Sequence, residues 1–267
     1  MAIVLWLIVL EALYVRALRV LRGRGVVVST PQIVAWHGAM ALWIAGLLSP
    51  IDDLGDDGLA FHMLQHLLIA DIAAPLMLIG LRNPVLAFFL PRDVLVPLAR
   101  SRRLRGAFRT LRQPLVALPV YVLVLYAWHF SVFFDAAVRH PLVHALQHSS
   151  FIAIGVLVWW SVLEPKRRRL RGELWKIGHI LAARFLGMFL GMCFVLIRQP
   201  IYTDVYGRGE RALGLSPIHD QQLAGGMMVV LDIVLMVGAL AFFFQRAGQQ
   251  YDTDERRAEA RRGAALT

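Results

Sequence analysis

A chain of 267 residues that is 58% hydrophobic, with a mean hydropathy of +0.60, is too apolar for an ordinary soluble domain. The apolar residues gather in long runs, so the fold class is all-α and polytopic, with the lipid bilayer as the surrounding medium. The formal charge of +10 would suggest nucleic acid in a soluble protein, but here the arginine blocks fall between apolar runs, a membrane-topology pattern, and no nucleic-acid partner is expected.

Seven transmembrane helices are predicted, at about 2–19, 32–49, 59–81, 114–134, 141–163, 177–198 and 219–245. They make one membrane domain, 1–245, followed by a charged tail, 246–267. The first run is apolar from its start, without a basic leader, and reads as a membrane helix rather than a cleaved signal peptide. It carries Glu11 near its centre. The second is followed by an acidic loop, "IDDLGDDG" (51–58). The third holds His62, Met63 and His66 near its start and Asp71 near its middle. Residues 84–99 are apolar but hold three prolines and two charges, and read as a re-entrant or interfacial segment.

His129 falls near the end of the fourth span, and His140, His144 and His148 open the fifth. The sixth carries Arg184, Met188, Met192 and Cys193. The seventh starts at His219 and Asp220 and has Asp232 near its centre. The tail reads as disordered or as a loose helix. The single cysteine excludes an intramolecular disulfide and a CxxC site.

Basic residues orient the bundle. The end of span 1 with the segment after it (Arg16, Arg19, Arg22 and Arg24), the segments after spans 3 and 5, and the tail carry 4, 8, 6 and 5 of them, and those after spans 2, 4 and 6 carry 0, 1 and 2. Positive charge stays inside, so the N-terminus is expected outside and the C-terminus in the cytoplasm. His62, His66, His129, His140, His144, His148 and His219 then all lie toward the outer face.

Residues four apart share one helix face. His62/His66 and His144/His148 begin at matched depths on two helices that run in the same direction. If those helices face each other, four imidazoles converge and can hold one or two metal ions. His140 to His148 covers about 12 Å, too long for one ion to hold all three. His129 lies at similar depth and can complete a site. The plainer alternative is a set of interfacial histidines bonded to headgroups or neighbouring helices. Two i,i+4 pairs at matched depth favour metal, because polar groups inside the membrane boundary are costly. Copper and zinc suit imidazole. Met63, Met192 and Cys193 offer soft accessory donors for Cu(I), although methionine in a span more often fills gaps.

Glu11, Asp71 and Asp232 sit near mid-membrane, with Arg184 toward the cytoplasm. They fit either a structural Asp–Arg pair or a proton or cation relay.

Three blocks carry a family resemblance. "HMLQHLLIADIAAPLMLIG" (62–80), "HPLVHALQHSSFIAIGVLVWWSVLEP" (140–165), and "PIYTDVY" (200–206) with "SPIHDQQLAGG" (216–226) together resemble the CtaG family of bacterial cytochrome c oxidase assembly factors. One departure is "MMVV" (227–230), where the family often has an aromatic near 229. The resemblance implies a seven-helix protein of the bacterial inner (plasma) membrane. It also implies copper delivery to the oxidase catalytic subunit, with a periplasmic copper chaperone as a further partner. By motif it points to His62, His66, His144, His148 and Asp220 as ligands or their supports, and to Tyr202, Gln221 and Gln222 around the outer vestibule. Asp220 also suits a plain role, capping the start of its own helix.

Three rivals stand beside this reading. They are a copper or zinc transporter, a haem-binding membrane cytochrome, and a metal-dependent hydrolase, which ranks last because no H-E-x-x-H occurs. The preferred reading is not an enzyme. It is a copper-binding assembly factor that holds Cu(I), or less favourably zinc, on few ligands so that the ion stays exchangeable.

Overall fold

The computed structural model describes residues 2–163, 174–207 and 213–264; the basic run 166–171 used for orientation lies outside them. All regular structure among these residues is helical. In chain order the helices are α1 (Ala2–Arg22), α2 (Thr30–Leu48), α3 (Pro50–Asp57), α4 (Leu59–Gly80), α5 (Val85–Phe89), α6 (Arg92–Arg100), α7 (Arg102–Leu111), α8 (Pro114–His129), α9 (Ser131–Arg139), α10 (Pro141–Leu163), α11 (Leu174–Leu196), α12 (Thr203–Tyr206) and α13 (Pro217–Ala264). Proline stands at the first positions of α2, α3 and α8, where its missing N–H has no intrahelical partner to lose.

Among the described residues, five helices are long and apolar enough to cross a membrane: α2, α4, α10, α11 and α13. A sixth span results if α7 and α8, which meet at a 76° bend, are taken together. α1 has the length of a span but carries Glu11, Arg16 and Arg19 within it. Outward faces are apolar, with Leu123, Leu146, Phe189, Val230, Val234 and Val237 exposed. Such surface belongs against lipid rather than water.

Two expectations are revised, and two others gain detail without being contradicted. The acidic stretch after α2 is not a loop but helix α3, started by Ser49, whose hydroxyl accepts from the Ile51 amide. The fourth span ends at His129 and a separate helix, α9, follows. Residues 84–99 form the short helices α5 and α6. The start of the tail continues α13, in keeping with its Glu, Arg and Ala content. Within α4, Leu67–Ile72 is π-helical, a feature often found at functional sites.

Small residues let the central helices approach. A Cβ on Gly191 of α11 would lie 2.9 Å from the Gly225 carbonyl of α13, and one on Gly225 only 2.5 Å from that of Gly191. A Cβ on Gly155 of α10 would meet the Ala70 carbonyl of α4 at 2.5 Å. That contact lies one to two turns beyond His66 and His148, so it sets the spacing of the two histidine-bearing helices. Gly155→Ala is expected to force α4 and α10 apart, at roughly 1–3 kcal/mol. The check is a lowered melting temperature in detergent together with weaker metal binding.

Candidate metal centre

The closely spaced α4 and α10 each present two histidines on one face, and the four rings meet. Ring centroids lie 4.4 Å apart for His62–His66, 5.1 Å for His62–His144, 5.2 Å for His66–His148 and 4.1 Å for His144–His148. His62, His66 and His148 are buried, and His144 is half-buried. One nitrogen from each of His62, His66 and His144 lies within 4.8 Å of the others. Among the described residues this is the group of His, Cys, Asp or Glu side chains spaced for a metal ion.

Five ring nitrogens of this cluster have no hydrogen-bond partner from the protein. His62 Nε2, His144 Nε2, His148 Nε2 and both nitrogens of His66 are buried with no hydrogen-bond partner from the protein. Each such group costs about 1–3 kcal/mol when left unsatisfied. A bound cation would satisfy several at once. The donors are all imidazole nitrogen, a set that suits copper and zinc.

Two supporting contacts fix which nitrogen faces inward. The Tyr206 hydroxyl donates its hydrogen to the Gly55 carbonyl at 2.6 Å. It can then only accept from His62 Nδ1, 3.1 Å away, so Nδ1 carries the proton and Nε2 keeps its lone pair. His129 Nδ1 donates to the Leu125 carbonyl at 2.7 Å, which leaves the lone pair on its buried, unpartnered Nε2. Metal-binding histidines are oriented in this way by a bond to their other nitrogen. Tyr206→Phe is expected to weaken metal affinity about 10–100-fold while the fold persists, read by competition titration and a thermal melt.

The remaining sequence candidates fall elsewhere. His129 stands outside the triad, with Phe151 between, its ring 4.7 Å from His66 and 6.0 Å from His129. His140 is exposed at the start of α10. His219 is exposed, with Nδ1 3.0 Å from the Ser216 hydroxyl. Met63 is buried in the hydrophobic core, and Met192 and Cys193 are half-buried on α11. Asp220 caps a helix, but α4 rather than its own. Its carboxylate accepts from the amides of Leu59 at 2.8 Å and Ala60 at 3.1 Å, and so anchors the turn that carries His62.

Two residues of the site escaped the sequence reading. Tyr206 lies four residues after Tyr202, an i,i+4 signal within "PIYTDVY". Gln147, between the two histidines of α10, is fully buried and lies beside His62, near enough to act on it as a hydrogen-bond partner. Tyr202, stacked on Phe134 at 3.9 Å, donates to the His129 carbonyl at 2.7 Å. Gln221 accepts from the Ile201 amide at 2.8 Å and ties this cover to α13.

The mid-membrane charges separate into two groups. Arg184 Nη1 donates to Asp71 at 2.5 Å and to Asp232 at 2.8 Å, and its Nη2 to the Tyr121 hydroxyl at 2.8 Å. Glu11 instead accepts from the Trp36 indole at 2.8 Å and lies 3.2 Å from His37. An arginine locked between two carboxylates ties α4, α11 and α13 together, its charge compensated by theirs.

The family model for the cytochrome c oxidase caa3 assembly factor matches residues 12–249. Curated relatives include uncharacterized proteins of Mycobacterium bovis and Mycobacterium tuberculosis, each 23% identical to 94% of this chain. The chain spans 39% of the length of these relatives. No solved structure matches.

Proposed function

The chain belongs to the cytochrome c oxidase caa3 assembly factor family, and from that premise we propose that it binds Cu(I) at the histidine cluster and passes it to the oxidase catalytic subunit. The observation that supports this most is the set of converging, buried imidazole nitrogens of His62, His66 and His144 that the protein leaves unpartnered. Copper is the cargo here, so few ligands and a half-buried His144 suit release by ligand exchange.

In this reading the protein lies in the bacterial inner membrane with seven spans: the five long apolar helices, the bent α7–α8 pair and α1. The alternation of basic segments orients it with the N-terminus outside, so the cluster faces the periplasm, where a copper chaperone can load it. The role is non-catalytic. Haem fits poorly, since a porphyrin must lie between its axial rings and these rings touch one another.

The test is a Cu(I) competition titration of the purified protein beside its His62→Ala/His66→Ala/His144→Ala/His148→Ala variant. Binding by the native protein alone supports the reading. Equal binding by both, or by neither, overturns it.

A further inference from the structure

Helix α7 buries none of its residues against the rest of the protein. Ten residues with a glycine inside them make a helix that is marginal in water on its own. Its apolar side chains fall on one face: Leu104, Phe108 and Leu111, spaced i, i+4 and i+7, are all exposed. Arginine flanks that stripe on both sides. Arg102, Arg105 and Arg109 follow one another along one flank, and Arg103 lies on the other. From Arg100 to Arg112 the chain holds six arginines and no carboxylate side chain. Helix α6, which leads into α7, likewise buries no residue and exposes Val94 and Leu98, four apart.

The fold sets this helix at a membrane boundary. Where α8 runs along the membrane normal, the 76° bend between the two helices lays α7 close to the membrane plane. The corner is held to the last turn of α10, a helix long and apolar enough to span. There the Ser161 hydroxyl donates to the Arg112 carbonyl at 3.0 Å, and Trp160 meets Phe108 edge-on with ring centroids 5.1 Å apart. Tryptophan at the end of a span marks the headgroup level. A charge run alone is a solvated face, but water leaves Leu104, Phe108 and Leu111 uncovered. A bilayer surface covers the stripe and sets the arginines, on their flexible stems, among the phosphates.

We infer that α7, with α6 leading into it, is an in-plane anchor that recognises anionic phospholipid headgroups. The in-plane orientation favours the bilayer over a soluble protein as occupant. So does an apolar stripe flanked by arginines, which match phosphate in charge and geometry. In the orientation proposed above, the leaflet is the cytoplasmic one. The anchor needs no metal and stands or falls apart from the copper reading.

The test uses the full chain in phosphatidylcholine vesicles, with Cys193→Ser removing the native thiol and Ala107→Cys carrying an environment-sensitive fluorophore on α7. Quenching by phosphatidylcholine brominated in its acyl chains is compared with quenching by iodide in the water. Brominated phosphatidylglycerol, titrated against unbrominated phosphatidylcholine, gives the preference for anionic lipid. An arginine near an anionic surface contributes about fivefold in affinity. The fluorophore is expected to be quenched by brominated lipid rather than by iodide, with phosphatidylglycerol preferred at least about tenfold at low salt and less as salt rises. Arg102→Gln/Arg105→Gln/Arg109→Gln is expected to keep the fluorophore at the bilayer and bring the preference within about twofold of unity. Leu104→Ser/Phe108→Ser is expected to turn the fluorophore toward iodide. These side chains are exposed, so a thermal melt of each variant is expected to match that of the parent. Quenching by iodide and not by brominated lipid in the parent leaves α7 off the bilayer, as a surface for a soluble partner, and overturns the anchor. Equal binding of the two lipids by the parent, or an unchanged preference in the triple arginine variant, overturns the recognition of anionic headgroups.

Discussion

Cells that carry the His62→Ala/His66→Ala/His144→Ala variant in place of the native protein are expected to make an oxidase whose catalytic subunit lacks copper. Alanine removes buried nitrogens without a protein partner, but also the His62–Tyr206 bond and ring packing on Phe134 and Phe151, so activity is normalised to the amount of variant in the membrane. Oxidase activity and copper per oxidase are expected to fall at least about tenfold, since losing ligands exceeds the 10–100-fold penalty of losing their supports. Excess copper in the medium is expected to restore part of the activity by mass action. Full activity at ordinary copper would remove the cluster from the pathway and leave the family role to other surfaces.

The second large effect is structural. Arg184→Leu strips the counter-charge from Asp71 and Asp232, which both bond its Nη1. Breaking a buried ion pair from one side costs about 3–5 kcal/mol, because the remaining charge stays buried. Arg184→Leu with Asp71→Asn and Asp232→Asn is expected to recover most of that loss. The measurement is the melting temperature in one detergent for all variants. The same series separates architecture from transport. If the triple variant still binds Cu(I) with native affinity, the mid-membrane charges hold helices and do not conduct the ion.

What could be read from the sequence follows the range of each interaction. The i,i+4 pairs His62/His66 and His144/His148 are local helical geometry, so their shared faces were legible. Their convergence also needed α4 and α10 to touch, and Gly155 against Ala70 is a contact that no periodicity displays. Asp220 was legible as a helix cap, because its residue type and position announce one, but which helix it caps is a matter of tertiary packing. Tyr206 and Gln147 join the site only through the chain's return over α4 and through burial of one side of α10. Helix α3 had its signal in "SPIDD", a Ser cap followed by proline and first-turn aspartates, but Gly55 and Gly58 made the segment read as a loop. The π-helical Leu67–Ile72 left no mark in the hydrophobic pattern.

The sulfur donors show the limit of composition. Met63 sits beside His62 in sequence, which invites a mixed site for Cu(I). In space it is buried in the core, and the His, Cys, Asp and Glu group spaced for a metal ion is made of imidazoles. Helix geometry sends neighbours in sequence to different faces, so adjacency along the chain is poor grounds for a shared ligand set.

X-ray absorption at the copper edge of purified protein loaded with one equivalent of Cu(I) tests the central claim most directly. The account predicts a low-coordinate Cu(I) site with two or three imidazole nitrogens at about 2.0 Å and no sulfur neighbour, and loss of that signature in the His62→Ala/His66→Ala/His144→Ala variant. A sulfur neighbour at about 2.3 Å, or an unchanged spectrum in the variant, would place the copper elsewhere and contradict the account.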